Sequence, residues 1–515
     1  MTAAFEAFPQ LDTGTHSGVI YHLRATRDGR LLASGGETTV RVWDLAGRRL
    51  QRLLLGRVDG STEDDAVSGI VCGLVISPDG RWLATIKSWV LRPGERARRG
   101  RAGSDDGYTT ELQIFDLQTG NLQSSHLYPG MMLELDFSPD GRWLALAVNV
   151  RKGRQHQAQA QVHRVRDLLK PGARALPAPV TCHTLEGQHD GVKAPVTLAF
   201  VPAVPGSDRS GATLVVASVR PDGMASRLDW LALSKAGRLA PRRSVEVADM
   251  VDVGSMATSP SRVVIGAVPS GTRKRRGTLY WWPHDGSESG TLDLEAPPAS
   301  VAFSPSGRHL AVGLCVDPMG AQDALEGTQT VQVSTFEVAA HGAPTLCSTY
   351  YGHDGSVWGL CFVGDRQVAS AGGDNRSIHL WGPQRRVAEL DAALRGVGRR
   401  VVMPGITADE RVVFGTVPLR QLPPGHAPRQ QSFDLRHLAL STTTASRLRR
   451  DDWVSRKWYV GEPDEMLIPL WFVGDRPQRD ANGPPPHAPD LKLFVGADDE
   501  WMIWSPSGYY LASGP

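Results

Sequence analysis

The stretch GHDGSVWGLCFVGDRQVASAGGDNRSIHLW, Gly352–Trp381, reads as strand, tight turn, strand, turn, strand. Apolar residues mark its strands, VWGLCFV and QVASA. A second stretch, HSGVIYHLRATRDGRLLASGGETTVRVWDL from His16, follows the same plan. Between the strands, Asp28-Gly29, Asp79-Gly80, Asp140-Gly141 and Ser306-Gly307 supply the positive φ that a tight hairpin needs. Around them the chain repeats itself: ISPDGRWLATI at Ile76, FSPDGRWLALA at Phe137, FSPSGRHLAVG at Phe303 and WSPSGYYLASG at Trp504.

Repetition of this kind outranks any local signal. Units start near His16, Ser68, Gly130, Gly191, Met250, Pro298 and Gly355, with a weaker eighth from Val397. One such sheet cannot bury both of its faces, so the units are expected to stack around an axis as an all-β propeller. Seven or eight blades fit, and eight is the preferred count, with FEAFPQLDTG ahead of His16 adding an outer strand that closes the ring. Residues 1–450 are assigned to the propeller. Residues 451–515 form a C-terminal extension, with a Pro-rich linker over 474–490 and an aromatic β-hairpin over 491–515.

At this point the sequence resembles the WD40-repeat family. His16, Ser34 and Trp43-Asp44 in the first unit, and His353, Ser370, Asn375 and Trp381 in the seventh, stand at the family's Gly-His, Ser, Asp and Trp-Asp positions. Glu37 replaces the usual Asp in the first unit. The resemblance implies that these side chains form a structural hydrogen-bonded tether within each blade, and not a catalytic site. Other units keep fragments of it, such as Phe115-Asp116 and Trp282-Pro283.

Composition agrees with a turn-rich β protein: Gly 55 and Pro 36 are high, and hydrophobic residues at 41 % allow a sizeable core. A net charge of +2 gives no bulk attraction to nucleic acid or to an anionic membrane. Arg far outnumbers Lys, a bias that reads as GC-rich bacterial coding. Cys72, Cys182, Cys315, Cys347 and Cys361 form no CxxC pair and read as small buried hydrophobes. The segment MTAAFEAFPQ has neither the basic nor the apolar region of a signal peptide, so a cytoplasmic protein is expected.

No nucleophile elbow, Walker loop, HExxH or Cys/His metal spacing is present, so neither enzyme activity nor a cofactor is expected. The innermost strands read as apolar or small; His22, Glu134, Asp136 and Asp252 are the polar exceptions. Trp82, Trp143, Trp281, Trp282 and Trp358 are expected to pack between blades. The long insertions fall in the connections between second and third strands. They carry Arg92, Arg96, Arg98, Arg99 and Arg101, then Arg151, Lys152 and Arg154, then Arg273, Lys274, Arg275 and Arg276. In a meander, those connections share a face with the links between blades, which are acidic. Either the face neutralises itself in solvent, or the basic crescent docks an acidic partner surface, for which Arg suits bidentate carboxylate contacts. Nucleic acid is disfavoured because no aromatic platform interleaves with these loops.

The ending carries a second resemblance. Phe494, Val495, Asp498, Glu500, Trp501, Trp504, Pro506, Gly508, Tyr509, Tyr510 and Ser513 are similar to the segment that joins propeller repeats to a caspase-like peptidase domain in bacterial WD40–caspase proteins. That resemblance implies a docking role for Trp501, Trp504, Tyr509 and Tyr510; a terminal cap on the last blade is the structural alternative. The expected function is a non-enzymatic protein-interaction scaffold, adaptor or sensor subunit of a bacterial regulatory or defence system, partnered by a caspase-like peptidase or other effector. The alternative is a propeller enzyme or small-ligand sensor that uses the central channel.

Overall fold

The computed structural model describes residues 16, 19–36, 39–54, 70–90, 108–128, 130–152, 155–170, 175–185, 189–190, 196–203, 211–219, 225–248, 250–269, 277–315, 332–339, 342–353, 356–372, 377–383, 387–388, 390–394, 399–407, 409–418, 429–442, 457–461, 467–472, 489–495, 501–505 and 510–513. These fall into two compact units, one holding Gly18–Asp374 and Ile378–Leu394, the other taking in Arg395–Pro515.

In the first unit each repeat becomes an antiparallel meander of strands a to d. Blade 1 is His22–Ala25, Leu31–Gly35, Val40–Asp44 and Arg49–Leu54; blade 7 is Val357–Val363, Gln367–Gly372, Ile378–Trp381 and Leu390–Leu394. Between them the a strands are Ile70–Ile76, Met131–Phe137, Val196–Phe200, Met250–Thr258 and Pro298–Phe303. The repeated SPDG sequence is the a–b turn. In blade 3 the Ser138 hydroxyl donates to Asp140 at 2.6 Å, and Asp140 accepts the Arg142 amide at 3.1 Å. Gly141 then takes φ +69°, which costs an L side chain and not glycine. Thr26-Asp28-Gly29 and Ser77-Asp79-Gly80 repeat the arrangement.

The core is a cycle of inter-blade layers. Val42 of blade 1 packs with Leu74 and Leu83 of blade 2. Ile86 and Leu112 meet Leu135 and Leu144 of blade 3, whose opposite face packs Val162 on Leu198 and Leu214 of blade 4. Val215 and Leu228 meet Ile265 and Tyr280 of blade 5; Val264 and Leu279 meet Leu310 and Phe336 of blade 6. Ala311 and Val333 meet Leu360 and Trp381 of blade 7. Cys361, Ile378 and Leu380 then pack on Leu23, Leu32 and Trp43 of blade 1, which closes the ring. Both faces of all seven sheets are thereby covered, the condition the sequence pattern demanded.

Of the two expected blade counts this packing selects seven, and the preference for eight is corrected. The eighth repeat does fold as a four-stranded sheet: Arg399–Ile406, Arg411–Pro418, Arg429–Asp434 and Ala439–Thr442. It belongs to the second unit and packs on a five-stranded sheet of Trp458–Val460, Leu467–Phe472, Leu491–Val495, Trp501–Trp504 and Tyr510–Ala512. Ile406, Val412, Phe414 and Phe433 face Val460, Ile468, Leu470, Leu493, Val495 and Ile503. The division between units therefore falls at Arg395 and not at the expected 450/451. Trp501–Trp504 does turn back onto Tyr510–Ala512, with Ile503 opposite Leu511. That hairpin is the outer part of a larger sheet and not a separate cap. Pro-rich residues 473–488 lie outside the described residues.

Candidate functional site: the channel and its mouth

The seven a strands share one register, so equivalent positions can be compared around the ring. One row is His22, Gly73, Glu134, Thr197, Ser255, Ser300 and Gly359. Two residues on, the next row is Arg24, Val75, Asp136, Ala199, Ala257, Ala302 and Cys361. Small residues dominate because each position points at the following blade: a Cβ on Gly73 would lie 2.6 Å from Leu135 Cδ2.

Most polar members of these rows are committed to the backbone of a neighbouring blade. Asp136 Oδ2 accepts the Phe200 amide of blade 4 at 2.7 Å. Ser255 Oγ accepts the Val301 amide of blade 6 at 3.2 Å, and Ser300 Oγ donates to the Val357 carbonyl of blade 7 at 2.7 Å. Thr258 Oγ1 donates to the Phe200 carbonyl at 2.6 Å, and the His22 ring faces the backbone of Val71 and Cys72. Such bonds staple inner strands together where edge groups would otherwise go unpaired.

Arg24 and Glu134 are the remaining charges. The Arg24 guanidinium donates to the Leu23 carbonyl at 2.9 Å. Burial in the ring raises the Glu134 carboxyl to about 7 and the Asp136 carboxyl to about 6, with the Arg24 charge opposing both shifts. Burial, then repulsion from Arg24, lowers His22 to about 3. All four side chains keep partial access to solvent, so channel water tempers these shifts. Burial pushes the Cys361 thiol up to about 12, which leaves it without thiolate character. Among the described residues no three His, Cys, Asp or Glu side chains are grouped to hold a metal ion.

The tether positions come together in blade 7. Trp381 Nε1 donates to Ser370 Oγ at 3.0 Å, and His353 Nε2 lies 2.8 Å from the same oxygen. The His353 ring stacks on His379 at 4.4 Å, and Tyr350 Oη meets His379 Nδ1 at 2.8 Å. In blade 1 Trp43 Nε1 donates to Ser34 Oγ at 2.8 Å. His16 is buried; Asn375 lies outside the described residues. His379 and Tyr350 were not legible as tether members, because neither stands in the family motif.

Register also identifies what replaces the tryptophan elsewhere. Opposite Leu32 stands Trp43 and opposite Val368 stands Trp381; the equivalent residues are Phe115, His163, Leu231, Trp282 and Phe336. Two stretches, residues 9–44 and 344–382, match the WD domain, G-beta repeat family. Those two stretches are similar to WD40 repeats. A curated relative, "Cell division cycle 20.1, cofactor of APC complex" from Arabidopsis thaliana, is 26 % identical over 153 residues, covering 24 % of this chain and 33 % of the relative. The match thus spans a third of that relative's length. Three solved structures are similar. "Kuenenia stuttgartiensis Hydrazine Synthase" has TM-score 0.48 and 11 % identity, over 74 % of this chain and 98 % of the other. The Myceliophteria thermophila Cps50 (Swd1) β-propeller domain has TM-score 0.42 and 16 % identity, over 71 % and 98 %. A chain of the "Mitotic Checkpoint Complex" has TM-score 0.43 and 14 % identity, over 74 % and 96 %.

In a four-stranded meander, the face that carries the b–c connections also carries the start of every a strand. Here it shows exposed apolar side chains. Ile70 is 48 % exposed, Tyr351 45 % and Trp358 39 %, with the Tyr21 ring 6.2 Å from Trp358 in edge contact. Trp143, Trp281 and Trp282 are buried as expected of inter-blade packing, but Trp358 is not. A bulge between Val357 and Gly359 adds one residue to the a strand and turns the indole outward. No sequence period signals that bulge.

The basic residues expected on that face, Arg92, Arg96, Arg98, Arg99, Arg101, Arg154 and Arg273–Arg276, all lie outside the described residues. Arg151 and Lys152 end the b strand of blade 3, with side chains outside them too. In the second unit, the four aromatic residues expected to dock a partner separate. Trp501 packs edge-on against Phe433 at 4.8 Å, and Trp504 is 9 % exposed. Trp501 is thus half-buried against the core of this unit and Trp504 is buried. Tyr510 on the edge strand is 63 % exposed, and Tyr509 lies outside the described residues. Among the described residues no helix is long and apolar enough to cross a membrane.

Proposed function

We propose that this chain is a non-enzymatic protein-interaction scaffold whose propeller binds a partner through the mouth of its channel. The observation that carries this reading is the group of exposed apolar side chains Ile70, Tyr351 and Trp358 on one face of the ring, with the half-buried Tyr21 ring against Trp358. Apolar and aromatic anchors of this kind carry most of the energy of a protein interface. The curated relative is described as a cofactor of a protein complex, which supports the same reading. The finer proposal is an adaptor or sensor of a bacterial regulatory or defence system, acting in the cytoplasm with a caspase-like peptidase or another effector. Basic b–c loops would rim the mouth and select an acidic surface around the apolar anchors.

The experiment is capture of partners from the native host with the full chain and two variants, Trp358→Ala and Tyr510→Ser, quantified by mass spectrometry. A partner lost with Trp358→Ala and kept with Tyr510→Ser supports the mouth. The reverse moves the interface to the second unit. Deleting residues 491–515 is unsuitable, since it removes Leu493, Val495 and Ile503 from the core of that unit. The channel-ligand alternative rests on the Glu134 carboxyl, raised to about 7 beside Arg24, and a small molecule retained in native mass spectrometry and lost in Glu134→Gln would favour it.

A further inference from the structure

The last repeat, WSPSGYYLASG, matches the a–b hairpins of the other units in sequence but sits differently in the fold. In FSPDGRWLALA and FSPSGRHLAVG the leucine after the turn is Leu144 and Leu310, each 0 % exposed. A c strand covers both, with His163 opposite Leu144 and Phe336 opposite Leu310. Leu511 holds that place in the last repeat and is 54 % exposed. Its strand, Tyr510–Ala512, ends the five-stranded sheet, and among the described residues no strand pairs with its outer side. Leu511 nevertheless belongs to the core row. Ile468, Leu493 and Ile503 stand side by side with it across the sheet, and those three are buried. The row runs off the edge of the sheet uncovered.

The free edge has a definite hydrogen-bonding pattern. The Ser513 amide donates to the Trp501 carbonyl at 2.9 Å. Antiparallel pairs alternate between bonded and non-bonded, so Leu511 also turns its N–H and C=O toward Trp501–Trp504. Tyr510 and Ala512 therefore turn theirs outward. The outer strand of blade 4, Leu239–Ala248, exposes Pro241, Arg242 and Glu246, the kinds of residue that keep an edge from pairing. Tyr510, Leu511 and Ala512 are exposed and carry neither charge nor proline.

We propose that two copies of this chain pair here, Tyr510–Ala512 running antiparallel to its counterpart about a two-fold axis through Leu511. The occupant follows from the strand itself, which is complementary to its own copy. In that register Leu511 meets the partner's Leu511, and Tyr510 falls opposite the partner's Ala512, a large side chain beside a small one. The outward N–H and C=O of Tyr510 exchange bonds with those of the partner's Ala512, and the symmetric pair repeats the exchange. Every outward group of the strand is then satisfied. An axis normal to the sheet keeps both leucines on the core-facing side, so the row of Ile468, Leu493, Ile503 and Leu511 continues into its copy. A three-residue edge buries far less than the about 800 Å2 per partner of a standard interface, so the dimer is weak and forms at high chain concentration. It is a property of the second unit and goes beyond the reading of the channel mouth.

The test is sedimentation equilibrium of the full chain from about 2 to about 300 µM, with amide exchange read at single residues. Expected is a monomer–dimer equilibrium with Kd of about 30–300 µM. Leu511→Lys and Leu511→Glu each place like charges on the axis and abolish it. An equal mixture of the two restores association, because the axis then joins opposite charges. Both substitutions fall on an exposed side chain, which the fold tolerates. Ala512→Pro removes an outward N–H, leaves the bonds to Trp501–Trp504 intact and raises Kd about tenfold or more. Should Ala512→Pro disturb the hairpin, the charge pair decides. Exchange at the Tyr510 and Ala512 amides slows as chain concentration rises, while the Leu511 amide, already bonded within the chain, does not change. A chain that stays monomeric to about 300 µM overturns the proposal and leaves the edge to a strand of another protein. So does a dimer that survives Leu511→Lys, or a charge mixture that fails to associate.

Discussion

Replacing Ser370 by alanine removes one oxygen on which two buried rings depend. Trp381 is 0 % exposed and His353 3 %, so neither the indole N–H nor His353 Nε2 can turn to water. Each orphaned group costs about 1–3 kcal/mol, which puts the expected loss near 3 kcal/mol. The molecule has two units, so global denaturation is not a two-state measure of it. Local opening of blade 7 is the proper readout. Amide hydrogen exchange in Val357–Val363 and Gln367–Gly372 should accelerate about 100-fold, the population equivalent of 3 kcal/mol. A double-mutant cycle separates this account from simple loosening. Trp381→Phe lacks the N–H, so in the Ser370→Ala background it should cost about 1 kcal/mol less than in the wild type. Ser370→Ala within about 0.5 kcal/mol of wild type, or strict additivity in the cycle, would refute the tether as a hydrogen-bonded hub.

Glu134→Gln should stabilise the protein at neutral and alkaline pH. Its carboxyl is raised from 4.5 to about 7, so the folded state loses stability as pH rises through that window. The full shift corresponds to about 3 kcal/mol, reduced to about 1–3 by channel water, and amide exchange in Met131–Phe137, compared between variant and wild type at pH 4.5 and 8, should show the difference only at pH 8. His353 is lowered well below 6.5 by burial and then by His379, so its site opposes protonation. Blade 7 exchange, corrected for intrinsic rates, should be flat above pH 6.5 and rise up to about tenfold per unit below it. Asp136→Ala should cost about 1–3 kcal/mol by orphaning the Phe200 amide, whereas Asp136→Asn keeps a carbonyl acceptor there and should cost much less, as read by exchange at Phe200.

The strands were legible because alternation and the SPDG turns are local facts. Thr26, Ser77 and Ser138 reach an aspartate two residues on, and glycine follows, whatever the blade packs against. Trp43 and Trp381 were likewise legible as tether residues through their serine nine or eleven positions earlier. Trp358 was not, since a one-residue bulge inverts the face on which a side chain emerges. The burial of Trp504 was not legible either, since aromatic density marks burial and docking equally well. The engagement of His22 and Asp136 depends on backbone groups some 50 and 64 positions away in sequence.

The sequence by itself determined that this protein is built of repeated four-stranded β units, where their turns lie, and that no known catalytic spacing is present. Each of those follows from interactions spanning fewer than about a dozen residues, the reach of a hairpin and its turn. Tertiary structure alone decided that seven units close a ring and the eighth joins another sheet. The eighth repeat has the same two-faced pattern as the others, and pattern fixes only that both faces must be covered. Which neighbour covers them is settled by packing: Leu23, Leu32 and Trp43 fit Cys361, Ile378 and Leu380, and a ring already complete has no open face to offer.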